Sequence, residues 1–406
     1  MVRYDLIIIG GGLVGAGFAA ALRSSGLKMA LVDARLPSND DPRLFALNAS
    51  SCQFLTNLGF WPALKPYASA ILQVHVSHQG HFGAVRMHHD EVNLSALGHV
   101  VPACHIENVL NQALAEQPNV DLYRPARLTL LNQSLDEAEL VVEMNGREIR
   151  LQAPIIIGAD GTASTVRALA DIPVDKVDYD QSAIVTRVLL KRPHQHIAYE
   201  RFYKRGALAM LPLPENECAC ILSADTAEVA RLSQLTEDAY RAEIQRLIGF
   251  RLGSLQSISK RHVFPLQLLC ARSAHHRAVL LLGNAAHTLH PIAAQGFNLA
   301  LYEAAVLAEG ILAKQDSGES VVMTDLLAML ERSQKQQKTS VQVSHWLTKI
   351  FSTRSTLANC LLSAGMTGFN MATPVKTRFM NLMTGRAGRV PALLMTSSEN
   401  QHAATD

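Results

Sequence analysis

The sequence predicts an α/β (α+β) fold: a Rossmann-type domain at the N-terminus, an antiparallel β-sheet inserted into it, and a helical C-terminal region. Three observations carry this expectation. A glycine-rich turn, Gly10-x-Gly12-x-x-Gly15, directly follows an apolar run and precedes a stretch of small residues. Two further apolar runs, residues 153–157 and 279–282, lead into Gly158 and Gly283 in the same strand-then-glycine pattern. Between them, residues 175–265 change to short segments of the kind that build antiparallel sheets.

Taken in order, residues 4–9 read as a buried strand, 10–15 as a turn and 16–25 as a helix that Gly26 ends. Residues 28–32 supply a second strand and complete a βαβ unit. Residues 43–58 have helical spacing, 70–97 alternate like strands, and 106–116 read as a helix. The stretch 120–153 reads as a β-meander with a hairpin at Asn145-Gly146, a pair suited to a tight turn. Further strands are expected at 182–190, 197–203, 207–213 and 217–223, a helix at 236–248, and a long helix over 298–312.

Composition bounds the function. Apolar residues make up 48% of the 406 and charged residues 18%, which supports a large core and excludes a disordered chain. A formal charge of +2 gives no argument for nucleic-acid binding. None of the six cysteines forms a CxxC pair, so a zinc ribbon or a thioredoxin-type centre is not expected. Cys218 and Cys220, two apart, share one strand face as small apolar residues, and the set reads as reduced thiols of a cytoplasmic protein. Asp5 and the early glycines argue against a leader peptide, and no apolar run reaches the ~18 residues of a spanning helix.

Charge is uneven, however. Residues 332–398 hold no Asp or Glu but nine Lys or Arg, interleaved with Trp346, Phe351, Leu361, Met366, Phe369 and Phe379. Apolar-basic helices of this kind suit an anionic membrane surface or a lipophilic partner, and equally a helical tail packed on the body with a solvated basic face.

The glycine turn has a specific chemistry. Gly10 makes the tight turn, Gly12 lets the backbone approach a diphosphate, and Gly15 lets helix and strand pack closely. The diphosphate then lies at the positive end of the helix. Asp33 ends the second strand, 18 residues after Gly15, where an acid bonds ribose hydroxyls. This motif serves NAD and FAD alike.

Two later motifs separate them. The run from Gly158 through Asp160, Gly161 and Ser164 to Arg167 resembles the GADGxxSxxR pattern of the class A flavoprotein aromatic hydroxylases. The run from Gly283 through Asn284, His287 and Pro291 to Gly296, Phe297 and Asn298 resembles their GDAAHxxxPxxGQGxN pattern. The resemblance covers nearly the whole chain and implies FAD. It implies that Asp160 contacts FAD and couples to nicotinamide binding, and that Arg43 lies near the diphosphate and the mobile flavin. It implies that Gly283 and Asn284 meet the ribityl chain, and that Pro291, Gly296, Phe297 and Asn298 lie beside the isoalloxazine ring. Asn284 stands where the family usually has Asp, Ala294 where it has Gly, and Asn108 where an FAD-contacting Arg is frequent. The implied division is an FAD-binding domain of residues 1–72, 98–174 and 266–320, a sheet domain of 73–97 and 175–265, a helical region of 321–395 and a flexible tail of 396–406.

Within that class the chain is most similar to the ubiquinone-biosynthesis hydroxylases, above all those acting on 2-polyprenyl-6-methoxyphenol. The residues that carry this are Val74-His75-Val76-Ser77, Leu97-Gly98-His99, Glu200-Arg201-Phe202, Gly206 to Pro212, Arg251-Leu252-Gly253 and Phe264-Pro265-Leu266. The resemblance implies hydroxylation of a polyprenylated phenol through a flavin C4a-hydroperoxide, with dioxygen and a transient NAD(P)H as co-substrates. Other ubiquinone-biosynthesis proteins are candidate partners, and the C-terminal region is the candidate for peripheral contact of a cytoplasmic protein with the inner face of the cytoplasmic membrane. The flavin performs the chemistry, so no side chain is assigned as catalytic; Phe202, Met210 and Pro212 are the expected substrate-lining residues. His287 and His290 lack a third ligand, and no metal is expected. Two other readings fit the same residues: a prenyl-lipid reductase or epoxidase of this fold, and a weakly active subunit that assembles a ubiquinone-synthesis complex.

Overall fold

Four residues, Leu6–Ile9, are almost wholly buried and form the strand at the centre of the molecule. A computed structural model describes residues 1–38, 40–289, 295–331, 356–388 and 390–396. In chain order its main elements are β1 (Leu6–Ile9), α1 (Leu13–Ala21), β2 (Met29–Val32), β3 (Leu44–Asn48), α2 (Ala49–Asn57), β4 (Gln73–His78), β5 (Ala84–His88), β6 (Gly98–Pro102) and α3 (Ala103–Ala115). Next come β7 (Val120–Tyr123), β8 (Ala126–Gln133), β9 (Ala138–Met144), β10 (Arg147–Ala153), β11 (Ile156–Gly158), α4 (Thr165–Leu169), β12 (Val174–Leu190), β13 (Ile197–Tyr203), β14 (Gly206–Pro212) and β15 (Glu217–Asp225). The chain continues with α5 (Thr226–Ser233), α6 (Glu237–Ile248), β16 (His262–Ala271), β17 (Val279–Leu281), β18 (His287–Thr288), α7 (Gln295–Asp316), α8 (Thr356–Met371) and α9 (Thr373–Met383).

Two large sheets result. One has six strands in the order His275–His276, β17, β11, β1, β2, β7, and all but the first run parallel. Its strands are continuous apolar runs because helices or a second sheet cover both faces. The other has nine strands and runs β18, β16, β12, β15, β14, β13, β4, β5, with Leu255–Ile258 paired to β12. It is antiparallel except where β13 meets β4. A separate meander of β8, β9 and β10 turns at Asn145-Gly146, where both residues have positive φ (52° and 74°).

Small residues set the distance between α1 and β1. A Cβ at Gly15 would lie 2.0 Å from the Gly10 oxygen, so only glycine permits this approach. α1 packs against α3 and α7 over a core that includes Phe18, Phe54, Leu301 and Ile311. Each such large side chain contributes about 1.5–3 kcal/mol by leaving water. α7 is apolar and long enough to cross a membrane by length and composition, but much of it is buried against α1 and α2.

The structure departs from the sequence reading in several places. The helix expected from residue 16 begins at Leu13, so its first turn lies within the glycine motif. Residues 43–58 are not one helix: Leu44–Asn48 form β3, paired with β6, and α2 starts only after Asn48. Asn48 is that helix's N-cap, its Oδ1 accepting from the Ser51 N–H at 2.9 Å. Strand pairing with a segment about fifty residues downstream outweighs the helical spacing. Val120–Tyr123 leaves the meander and pairs in parallel with β2. The long helix begins at Gln295 rather than near Asn298. Cys218 and Cys220 are buried on one face of β15, as their spacing predicts.

In the acid-free C-terminal stretch, α8 and α9 pack on the edge of the nine-stranded sheet. Met366 and Met380 join Val85, Met87 and Phe202 in one cluster, and the Lys376 Nζ lies 2.6 Å from Glu91. Trp346 and Phe351 lie outside the described residues.

Candidate functional site

A cavity of about 1020 Å³ opens between the two large sheets, at the carboxyl ends of β1, β2 and β11. In open parallel sheets this is where ligands bind. One end is lined by Gly10, Gly12, Asp33, Arg43, Asp160 and Asn284. The other end is the inner face of the nine-stranded sheet, with Ala207, Ala209, Leu211, Ile221 and Glu200. Gly296 and Phe297, in the first turn of α7, also line it.

The glycine turn is built as its spacing requires. Gly10 has φ of +107°, and a Cβ there would lie 2.4 Å from the Ala159 carbonyl. Gly12 differs: nothing stands within 4 Å of its Cβ position, so that side of the turn is open. Gly12 caps α1, and among the described residues no side chain bonds the first N–H groups of that helix. These donors are left for a ligand, and the helix end favours an anion. Asp33 ends β2; its Oδ2 accepts from the Gly11 N–H at 2.7 Å and its Oδ1 from the Arg35 N–H at 2.8 Å. Arg124 donates to the Gly11 oxygen (3.4 Å) and to Asn111 (2.5 Å), closing the turn from behind. Asn108 is exposed on α3 and does not line the cavity.

The second and third motifs are tied together. Asp160 accepts from the Ser164 hydroxyl at 2.5 Å and from the Thr165 and Val166 N–H groups at 2.6 and 3.1 Å, which fixes the start of α4. Arg167 is buried and donates to the Ala285 and Thr162 carbonyls, each at 2.8 Å. Asp160 therefore orders its own loop while facing the cavity, and Arg167 clamps that loop to the Gly283 turn. Gly283 has φ of +59°, and a Cβ would press on Val14 and Ala300 at 3.2 Å. Asn284, next to it, is exposed to the cavity.

Beneath the turn lies a buried pair. The His287 Nε2 is 2.7 Å from the Glu303 Oε1, and Glu303 Oε2 accepts from the Gly283 N–H at 3.4 Å. Burial alone lowers the His287 pKa, but the adjacent carboxylate more than offsets this and holds it above its ordinary value. This partner accounts for the Nε2 of His287.

Other expected residues are placed as follows. Arg43 lines the cavity, bonded to Asp41 at 2.6 Å and set over the Phe45 ring at 5.5 Å. Phe45 in turn packs on Phe297, with ring centroids 4.4 Å apart. Asn298 is buried and binds protein instead: its Oδ1 accepts from the Asn48 N–H and its Nδ2 donates to the Ala46 carbonyl, both at 2.9 Å. It fastens α7 to β3. Pro291 and Ala294 lie outside the described residues. Met210 and Pro212 do not line the cavity. Alternation along β14 turns Leu208 and Met210 to the opposite face, where Met210 packs with Tyr240 and Cys220; Ala209 and Leu211 face the cavity. Phe202 shares the cavity-side face but lies beyond its end, under Met366 and Met380.

The sequence reading gave Glu200 no role at the site, although it lies in the Glu200-Arg201-Phe202 segment. It stands on β13, one alternation before Phe202, with no hydrogen-bond or ion-pair partner among the described residues. Burial pushes its carboxyl up to about 7. An acid among Ala198, Tyr199, Phe202 and Tyr203 in a strand was the signal available.

The residues present fit a dinucleotide. An open glycine, an uncapped helix end and an acid at the tip of the second strand meet at one end of a cavity large enough for the rest of the molecule. Residues 3–379 match the FAD binding domain family. Ubiquinone hydroxylase UbiL of Rhodospirillum rubrum is 30% identical over 400 residues, covering 96% of this chain and 92% of that protein. The 3-demethoxyubiquinol 3-hydroxylase of Escherichia coli is 29% identical over 322 residues, covering 78% and 81%. Among solved structures, p-nitrophenol 4-monooxygenase PnpA from Pseudomonas putida superposes with a TM-score of 0.79 over 96% of this chain and 100% of that one, at 16% identity. The chain thus belongs to the FAD binding domain family and, within it, to the ubiquinone hydroxylases of the class A flavoprotein monooxygenases.

Proposed function

We propose that this FAD-dependent monooxygenase hydroxylates the aromatic ring of a polyprenylated phenol in ubiquinone biosynthesis, a 2-polyprenyl-6-methoxyphenol or a close relative, with NAD(P)H as reductant. One observation carries the reading: a cavity that joins a diphosphate-binding turn to an apolar sheet face bearing a carboxyl, Glu200, that has no partner among the described residues. FAD, when bound and reduced, supplies the activation of dioxygen. The chain supplies the rest. Gly12 and the open end of α1 would hold the diphosphate, Asp33 the ribose, and Asn284 the ribityl hydroxyls. Gly296 and Phe297 would meet the ring system from α7. Ala207, Ala209, Leu211 and Ile221 hold the phenol ring and keep water out. Glu200 takes the phenol proton at its carboxylate oxygen, which makes the ring more electron-rich where oxygen is added.

A prenylated substrate resides in a membrane, so the protein works at the cytoplasmic face as a peripheral protein, alongside other enzymes of the same pathway. Two experiments test the function. Turnover under oxygen-18 should place one labelled atom on the product ring; a product without the label refutes hydroxylation. A strain lacking the gene should accumulate a quinone precursor one oxygen lighter than the next intermediate, and its mass identifies the step.

A further inference from the structure

Three of the segments on which the likeness to ubiquinone hydroxylases rests meet away from the cavity. They are the β4 segment with His75 and Ser77, Arg201 of β13, and Arg251 after α6. Alternation puts Arg201 on the face of β13 opposite Glu200, and His75 and Ser77 on the matching face of β4. Arg86 of β5 stands opposite His75. Together they line a second cavity of about 470 Å³, closed on one side by the end of α8.

This cavity is cationic. Arg86, Arg201 and Arg251 all line it, and among the described residues no carboxylate does. Among the described residues none of the three forms an ion pair. The Arg201 Nη1 donates to the Ser77 hydroxyl at 3.2 Å, the Arg251 Nη1 to the Ile248 carbonyl at 3.0 Å, and the Arg201 Nε is buried with no partner. Burial first, and then the charges of Arg86, Arg251 and Arg201, push His75 down to about 4, so its ring is neutral at physiological pH. Three guanidiniums held near one another without an acid form an arrangement that an anion completes. The rim adds a second feature. Phe82 and Met371 line the same cavity and are 79% and 77% exposed. Large exposed apolar side chains beside clustered arginines match the boundary between phosphate headgroups and acyl chains.

We propose that Arg86, Arg201 and Arg251 bind the phosphate of an anionic phospholipid headgroup, with Phe82 and Met371 entering the acyl boundary. The inference rests on the membrane contact proposed above and is independent of hydroxylation. It places that contact on the β4–β5 edge and α8.

The test is co-sedimentation of the FAD-loaded full chain with vesicles of phosphatidylcholine alone or with one quarter phosphatidylglycerol. Wild type should bind the anionic vesicles and largely ignore the neutral ones. Each exposed guanidinium removed should weaken binding about five-fold, so Arg86→Gln with Arg251→Gln together should lose roughly 25-fold. Phe82→Ser should weaken binding at every salt concentration. FAD absorbance and turnover of a short-chain, detergent-soluble phenol should not change in these variants, which separates docking from folding and chemistry. Wild type that binds no vesicle overturns the membrane contact and this site with it. Wild type that binds while the double variant binds equally overturns the site alone. Saturable binding of inorganic phosphate without vesicle binding, or retention on an acidic protein with neither, assigns the pocket elsewhere and overturns the lipid reading.

Discussion

Replacing Glu200 by glutamine tests both the physics of the cavity and the proposed chemistry. Burial moves this carboxyl from its ordinary 4.5 to about 7. At roughly 1.4 kcal/mol for each tenfold change in proton affinity, the ionised form in the folded chain is disfavoured by about 3 kcal/mol. Between pH 4.5 and about 7 the folded chain keeps a proton that the unfolded chain has released, so stability falls as pH rises across that interval. Glutamine fills the same space and does not ionise. The variant should match wild type below pH 4.5 and exceed it by up to about 3 kcal/mol above pH 7, in urea unfolding at fixed, saturating FAD. Stability curves that run parallel from pH 4 to pH 8 would refute the burial of this charge.

The same variant should lose activity as it gains stability. A phenol gives up its own proton near pH 10, so ionisation at lower pH needs an acceptor. Wild-type kcat/KM should rise with pH through about 7, as Glu200 becomes able to accept. In Glu200→Gln that limb should vanish, with a loss of about 10²-fold or more in the chemical step. A variant that keeps the limb would remove Glu200 from the reaction, whatever its effect on stability. Opposite signs for stability and rate at one residue are the signature of a strained functional group.

Three further outcomes follow from the geometry. Gly12→Ala should fold with an unchanged thermal midpoint when FAD is absent but bind FAD at least ten-fold more weakly by fluorescence titration, because its methyl group enters the open side of the turn. Gly15→Ala should fail to fold, since its methyl group would lie 2.0 Å from the Gly10 oxygen. Glu303→Ala should cost about 3–5 kcal/mol in urea unfolding, as it leaves His287 and the Gly283 N–H buried without their acceptor. The contribution of His287 has a definite sign: its folded pKa is raised, so the pair stabilises fully below pH 6.5 and less as pH climbs through the raised value.

The Rossmann-type core was legible because its signals are local. Gly10, Gly12 and Gly15 sit within six residues, and each has a steric reason to be glycine or, for Gly12, an open space to preserve. Motifs explained by long-range bonds were legible only as patterns. Nothing in the sequence says that Arg167 reaches Ala285, or that Asn298 fastens α7 to β3. The Arg43 region was misread for the same reason: helical spacing in 43–58 carries no trace of the β6 strand that pairs with Leu44–Asn48.

Strand faces were the least legible part, and they decide the chemistry. Glu200-Arg201-Phe202 reads as one signature, yet period-two alternation splits it between two faces, and position along the strand separates Glu200 from Phe202. Glu200 faces the FAD cavity, Arg201 the cationic pocket on the other side, and Phe202 the cluster under α8 and α9. A displacement of one residue along β14 likewise exchanges Met210 for Ala209 and Leu211 at the cavity wall. The consequence is functional. On the proposed assignments, two neighbouring residues of one strand would serve two separate sites, one for a proton and one for an anion. Glu200→Gln should therefore leave vesicle binding intact, and Arg86→Gln with Arg251→Gln should leave the pH profile of turnover intact. If either variant changed both, the sheet would not separate the two sites, and the assignment of faces on which both rest would be wrong.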